Sequence, residues 1–113
     1  MKFSALIFSV LLASPATAGN FATCLLDKMP GIQNDVAANA VYQSCIATHP
    51  GAFAPIKQGA GRGWFGYKTG ADCTAEKAGA TRSNRAAVLI GVACRKLYDE
   101  QTPFDPSTAT LLR

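Results

Sequence analysis

The chain has little of what most catalytic sites need. It carries one histidine and one tryptophan, and charged residues make up only 16% of its 113 positions. His49 has no second histidine to work with, and there is no Gly-x-Ser-x-Gly elbow and no obvious pair of buried carboxylates. The four cysteines include no Cys-x-x-Cys. That absence removes both the spacing of thiol–disulfide enzymes and the close ligand pairs of structural zinc sites. The expectation is therefore a non-enzyme with no metal and no cofactor. His49, just before Pro50 at the end of a helical stretch, has the bland role of a cation at a helix C-terminus.

Long apolar runs are also missing. Phe3–Ala13 and Ala86–Cys94 both fall well short of the ~20 residues that a membrane-spanning helix requires. Positive charge is in modest excess, with a formal net of +4 over the chain. That mildly favours anionic partners but is too small for a nucleic-acid footprint. No Asn-x-Ser/Thr sequon occurs.

What the first residues do contain is an export signal. Lys2, an apolar stretch and Ala16-Thr17-Ala18 read as a secretory signal peptide over 1–18. A lipid anchor fits poorly, because Thr23 immediately precedes the first later cysteine, Cys24. Removal of the signal leaves about 95 residues, one small domain that is expected to need covalent staples. The compact signal and the missing sequon suit a bacterial exported protein, periplasmic or secreted. An oxidising compartment makes two disulfides the default.

Those cysteines organise the chain. Cys24 and Cys45 are 21 positions apart, and so are Cys73 and Cys94. Laying the second pair on the first at an offset of 49 also superposes Lys28 on Lys77, Ala37 on Ala86, and Asp27 on Glu76. This predicts a duplicated unit and favours the pairing Cys24–Cys45 with Cys73–Cys94. The cross-pairing of Cys24 with Cys94 and Cys45 with Cys73 stays open. Each 21-residue link is worth about 3 kcal/mol in the chain-entropy account.

The fold class expected is all-α: two helical hairpins of four short helices, at 20–48 and 72–98, joined by a long loop over 50–71. An irregular tail follows over 101–113, with Pro103 and Pro106. Asn20 is a cap for a helix to about Lys28, before Pro30-Gly31. Asn34 or Asp35 caps a second to about Thr48, with Ala37, Val41, Cys45 and Thr48 as its apolar face. Asp72 is the expected cap of a third, over 73–81. Ser83 or Asn84 caps a fourth over 85–98 that is nearly all apolar and so central. Equal distances from the turn make Cys73–Cys94 a natural staple, whereas Cys24–Cys45 needs an extended turn to absorb a mismatch of about 8 Å.

The loop concentrates the remaining signal. It holds six of the ten glycines, interleaved with Arg62, Trp64, Phe65, Tyr67 and Lys68, and loops of this length are usually functional. Gly61-x-Gly63-x-x-Gly66 matches a dinucleotide fingerprint in letters only, since no strand precedes it and no βαβ unit fits. Trp64 and Phe65 are expected to fold back as a lid on the core, with partner contact as the competing reading. Arg62, Tyr67 and Lys68 are expected at the surface. Together these five are the candidate partner-binding residues of a non-catalytic exported interaction protein that contacts an envelope protein. The alternatives are a factor that binds anionic lipid or a membrane surface, and an inhibitor of an exported enzyme.

Overall fold

A computed structural model describes residues 19–100; the signal-peptide reading of 1–18 and the tail at 101–113 lie outside the described residues. The described residues form four α-helices and no strand: α1 (Phe21–Lys28), α2 (Asp35–Thr48), α3 (Gly70–Ala78) and α4 (Asn84–Tyr98). Each begins on a side-chain cap. Asn20 Oδ1 accepts from Thr23 N, Asn34 Oδ1 from Ala37 N, Thr69 Oγ1 from Asp72 N and Ser83 Oγ from Ala86 N, so one otherwise orphaned helix donor is satisfied at each start.

These caps carry the internal correspondence into three dimensions. Asn20 and Thr69 are 49 positions apart, and so are Asn34 and Ser83. The turns between the helices of each hairpin also lie side by side. Gly31 N donates to Ala80 O at 3.1 Å, Arg82 N donates to Ile32 O at 3.2 Å, and Thr81 Oγ1 donates to Ile32 O. Asp35 completes this junction by accepting from Ser83 Oγ at 2.6 Å and Arg85 N at 3.3 Å. Its carboxyl is held below the ordinary value by the Ser83 hydroxyl first, then by the Arg85 backbone.

The disulfides are Cys24–Cys45 and Cys73–Cys94, with Cα–Cα separations of 5.9 and 5.5 Å, one staple per hairpin. In the first hairpin α1 stops at Lys28 and the chain turns over 29–34, with Gly31 at φ +86°, before α2 begins at Asp35. α4 packs against all three other helices. Its Ala86, Ile90, Ala93, Cys94 and Leu97 meet Phe21, Leu25 and Met29 of the first hairpin, all of them buried.

Three local expectations are corrected. α3 starts at Gly70 rather than after Asp72, because Thr69 caps it and Asp99 Oδ1 accepts the Gly70 N–H at 2.7 Å. It also ends at Ala78, with Gly79 as its cap, rather than reaching Thr81. The inward face of α2 runs through Ala38, Val41, Tyr42 and Cys45, while Thr48 is exposed and turns its hydroxyl back to Cys45 O. Rotation by one residue brings Tyr42 edge-on to Phe21, with ring centroids 5.6 Å apart.

Candidate contact site

The last turn of any helix leaves its carbonyls without intrahelical donors. In α4 those carbonyls are met by the first half of the glycine-rich loop. Gln58 Nε2 donates to Arg95 O at 2.6 Å and to Asp99 O at 3.1 Å. Gly59 N donates to Lys96 O and Gly61 N to Leu97 O, each at 2.8 Å, and Arg62 Nη1 donates to Tyr98 O at 2.7 Å. Every carbonyl from Arg95 to Asp99 thus has a donor from residues 58–62. The loop is the C-terminal cap of the central helix.

That role explains the glycines. A Cβ on Gly61 would lie 3.0 Å from the Tyr98 ring and 3.1 Å from Leu97 Cβ, and one on Gly66 would lie 3.2 Å from the same ring. The two outer glycines of the fingerprint-like motif let backbone pass against α4, whereas Gly63 faces open space. The outer glycines of this spacing serve packing against α4.

The descending limb is pinned as well. The Tyr67 ring stands edge-on to Tyr98 with centroids 5.2 Å apart. A hydrogen bond to the Glu76 carboxylate, aided by partial desolvation, pushes the Tyr67 hydroxyl up to about 12. Arg62 Nη1 also donates to Lys68 O at 3.2 Å, and Nη2 pairs with Glu100 Oε1 at 3.1 Å. Both limbs are therefore closed on one guanidinium.

Between these pins the chain makes a short excursion, and Trp64 and Phe65 lie at its tip, 98% and 97% exposed. The expectation that they form a core lid is corrected. The lid comes from earlier in the loop, where Ile56 is buried and Phe53 stands edge-on to Phe21 with centroids 4.8 Å apart. With that place filled, and with Gly61 and Gly66 both held against Tyr98, the intervening residues cannot return to the core. The expected surface position holds for Arg62 and Lys68 and is corrected for Tyr67. Arg62 is solvent-facing while its guanidinium donates to Lys68 O, Tyr98 O and Glu100 Oε1, and Tyr67 is half-buried. Of the five candidate residues, Trp64, Phe65 and Lys68 are exposed and make no side-chain hydrogen bond among the described residues, while Arg62 and Tyr67 tie the loop to the end of α4.

Sequence reasoning missed Gln58, Asp99 and Glu100 as parts of this assembly. The available signal was the pairing of glycines with an aromatic at the end of α4, which becomes readable only once the loop is known to cross that helix end. Two shallow depressions lie on the described surface. One, of about 450 Å³, is lined by Ala71, Thr74, Ala75, Arg95 and Asp99. The other, of about 260 Å³, lies over Cys24 and His49. Among the described residues no group of three or more His, Cys, Asp or Glu side chains could hold a metal ion, and no helix is long and apolar enough to cross a membrane. No family model, curated protein or solved structure matches this chain.

Proposed function

We propose that this is a non-catalytic, exported interaction protein whose contact surface is the Trp64–Phe65 tip, with Lys68 beside it. One observation carries the reading: the two bulkiest exposed apolar side chains are adjacent and almost wholly solvated, on a loop whose base is anchored to the central helix. Large aromatics are the residues that dominate contact energies, and a pre-shaped loop lowers the ordering cost of using them. Folding gains nothing from leaving both in water. The disulfides keep the scaffold rigid, as suits an oxidising envelope or extracellular space.

The test is a Trp64→Ala/Phe65→Ala double variant. It should keep native helicity and both disulfides yet lose retention on an envelope fraction that retains the wild-type protein. Undiminished retention of a folded double variant would remove the tip from the contact and end this assignment.

A further inference from the structure

We infer that the surface met by the tip is an anionic lipid bilayer, bound peripherally with Trp64 and Phe65 seated at the headgroup level; this rests on the tip being the contact surface. The size of the apolar feature points that way. Two aromatic side chains offer roughly 150–250 Å² each. Specific protein interfaces take about 800 Å² from each partner. Among the described residues the tip has no exposed large hydrophobic beside it to make up the difference, because its chain neighbours are Arg62, Gly63, Gly66, the half-buried Tyr67 and Lys68. The other exposed large hydrophobics, Val36 and Val88, belong to helices α2 and α4, away from the loop. A bilayer interface needs no such surround. Tryptophan is enriched at the boundary between hydrocarbon and headgroups, where its ring is amphipathic.

Charge supplies the second signal that reversible anchoring of a small apolar group requires. Among the described residues the only ion pair is Arg62–Glu100. Lys57 and Lys68 in the loop, and Arg95 and Lys96 in the last turn of α4, therefore form no ion pair with a described carboxylate. Four carboxylates stand at the same end: Glu100 pairs with Arg62, Asp99 accepts the Gly70 N–H, and Asp72 and Glu76 are exposed on α3. The tip is thus apolar and flanked by the exposed Lys68, and its base carries a small excess of cations, Lys57, Arg62, Lys68, Arg95 and Lys96 against Asp72, Glu76, Asp99 and Glu100, the order in which a bilayer presents hydrocarbon and phosphate.

Trp64 is the only tryptophan in the chain, so its fluorescence reports on the tip alone. Vesicles of phosphatidylcholine mixed with phosphatidylglycerol should shift its emission to the blue and carry the protein down on sedimentation. Vesicles of phosphatidylcholine alone should do neither, and raised salt should reverse the effect. Lys68→Ala should weaken binding about five-fold, the fold-change expected for one lysine near an anionic surface. Phe65→Ala, which touches nothing in the fold, should weaken it further while preserving helicity. An unshifted emission on the anionic vesicles at low salt would overturn the lipid assignment. If retention on a delipidated envelope protein fraction is nevertheless lost in the Trp64→Ala/Phe65→Ala variant, the tip remains the contact surface and its partner is a protein. Retention that the double variant keeps would overturn both.

Discussion

At the scale of single residues, aromatic side chains of similar size take opposite roles in one loop, and position decides which. Phe53 precedes the segment that crosses the end of α4, so it can reach Phe21; Trp64 and Phe65 lie between two points of attachment and cannot. Phe53→Ala should lower stability by about 2 kcal/mol, below the usual 3–5 for a fully buried ring because Phe53 is partly exposed. Trp64→Ala should change stability by less than about 0.5 kcal/mol. Thermal melts of the two variants side by side check the contrast. Asp35 offers a pH test. Its carboxyl is held low in the folded protein, so the stability it confers is complete above the ordinary value of 3.8 and is lost as pH falls through the depressed one. An acid titration of unfolding should show that loss in the wild-type protein and a flatter acid limb in Asp35→Asn.

At the scale of elements, helix ends do more to define this molecule than helix interiors. The start of α3 abuts the end of α4 so closely that a Cβ on Gly70 would fall 2.7 Å from Arg95 Cα. A backbone neighbour cannot swing aside as a side-chain tip can. Gly70→Ala should therefore push α3 from its seat, weaken the Gly70 N–H bond to Asp99 and cost about 1–3 kcal/mol. A chemical-denaturation midpoint that is unmoved in this variant would contradict the close approach. α3 is also where sequence reading went astray. Asp72 is a good capping residue, but Thr69 is another, and choosing between them depends on Asp99 arriving from the far end of α4.

At the scale of the whole molecule, the halves correspond in their caps and cysteines but differ in their surroundings. α4 is enclosed by three helices, so Cys73 and Cys94 are both fully buried, whereas Cys24 is half-buried beneath a shallow depression. A mild reductant should therefore open Cys24–Cys45 first, with Cys73–Cys94 following only as the fold itself opens. Timed alkylation and peptide mapping should show alkylated Cys24 and Cys45 while Cys73 and Cys94 are still joined; simultaneous loss would contradict the difference in burial. The hairpins are also joined edge to edge through their turns and through Asp35, so they are expected to unfold together.

The sequence by itself determined the helical class and the four helix-forming segments, and it favoured the staples that formed while leaving the cross-pairing open. Capping residues, helix-ending Pro and Gly, and equal cysteine spacings act locally, and local preferences need no knowledge of the rest of the chain. It also singled out the loop as unusual. What only the tertiary structure decided was the use of that loop. Whether Phe53 or Trp64 covers the core, which carbonyl the Arg62 guanidinium meets, and which ring Gly61 and Gly66 pass against all depend on the loop crossing the end of α4. That crossing is made by backbone groups and by a glutamine and an arginine of ordinary appearance, reaching residues 36 to 41 positions away. Contacts so distant leave no periodic trace in the sequence, and they are what holds Trp64 and Phe65 out in the solvent.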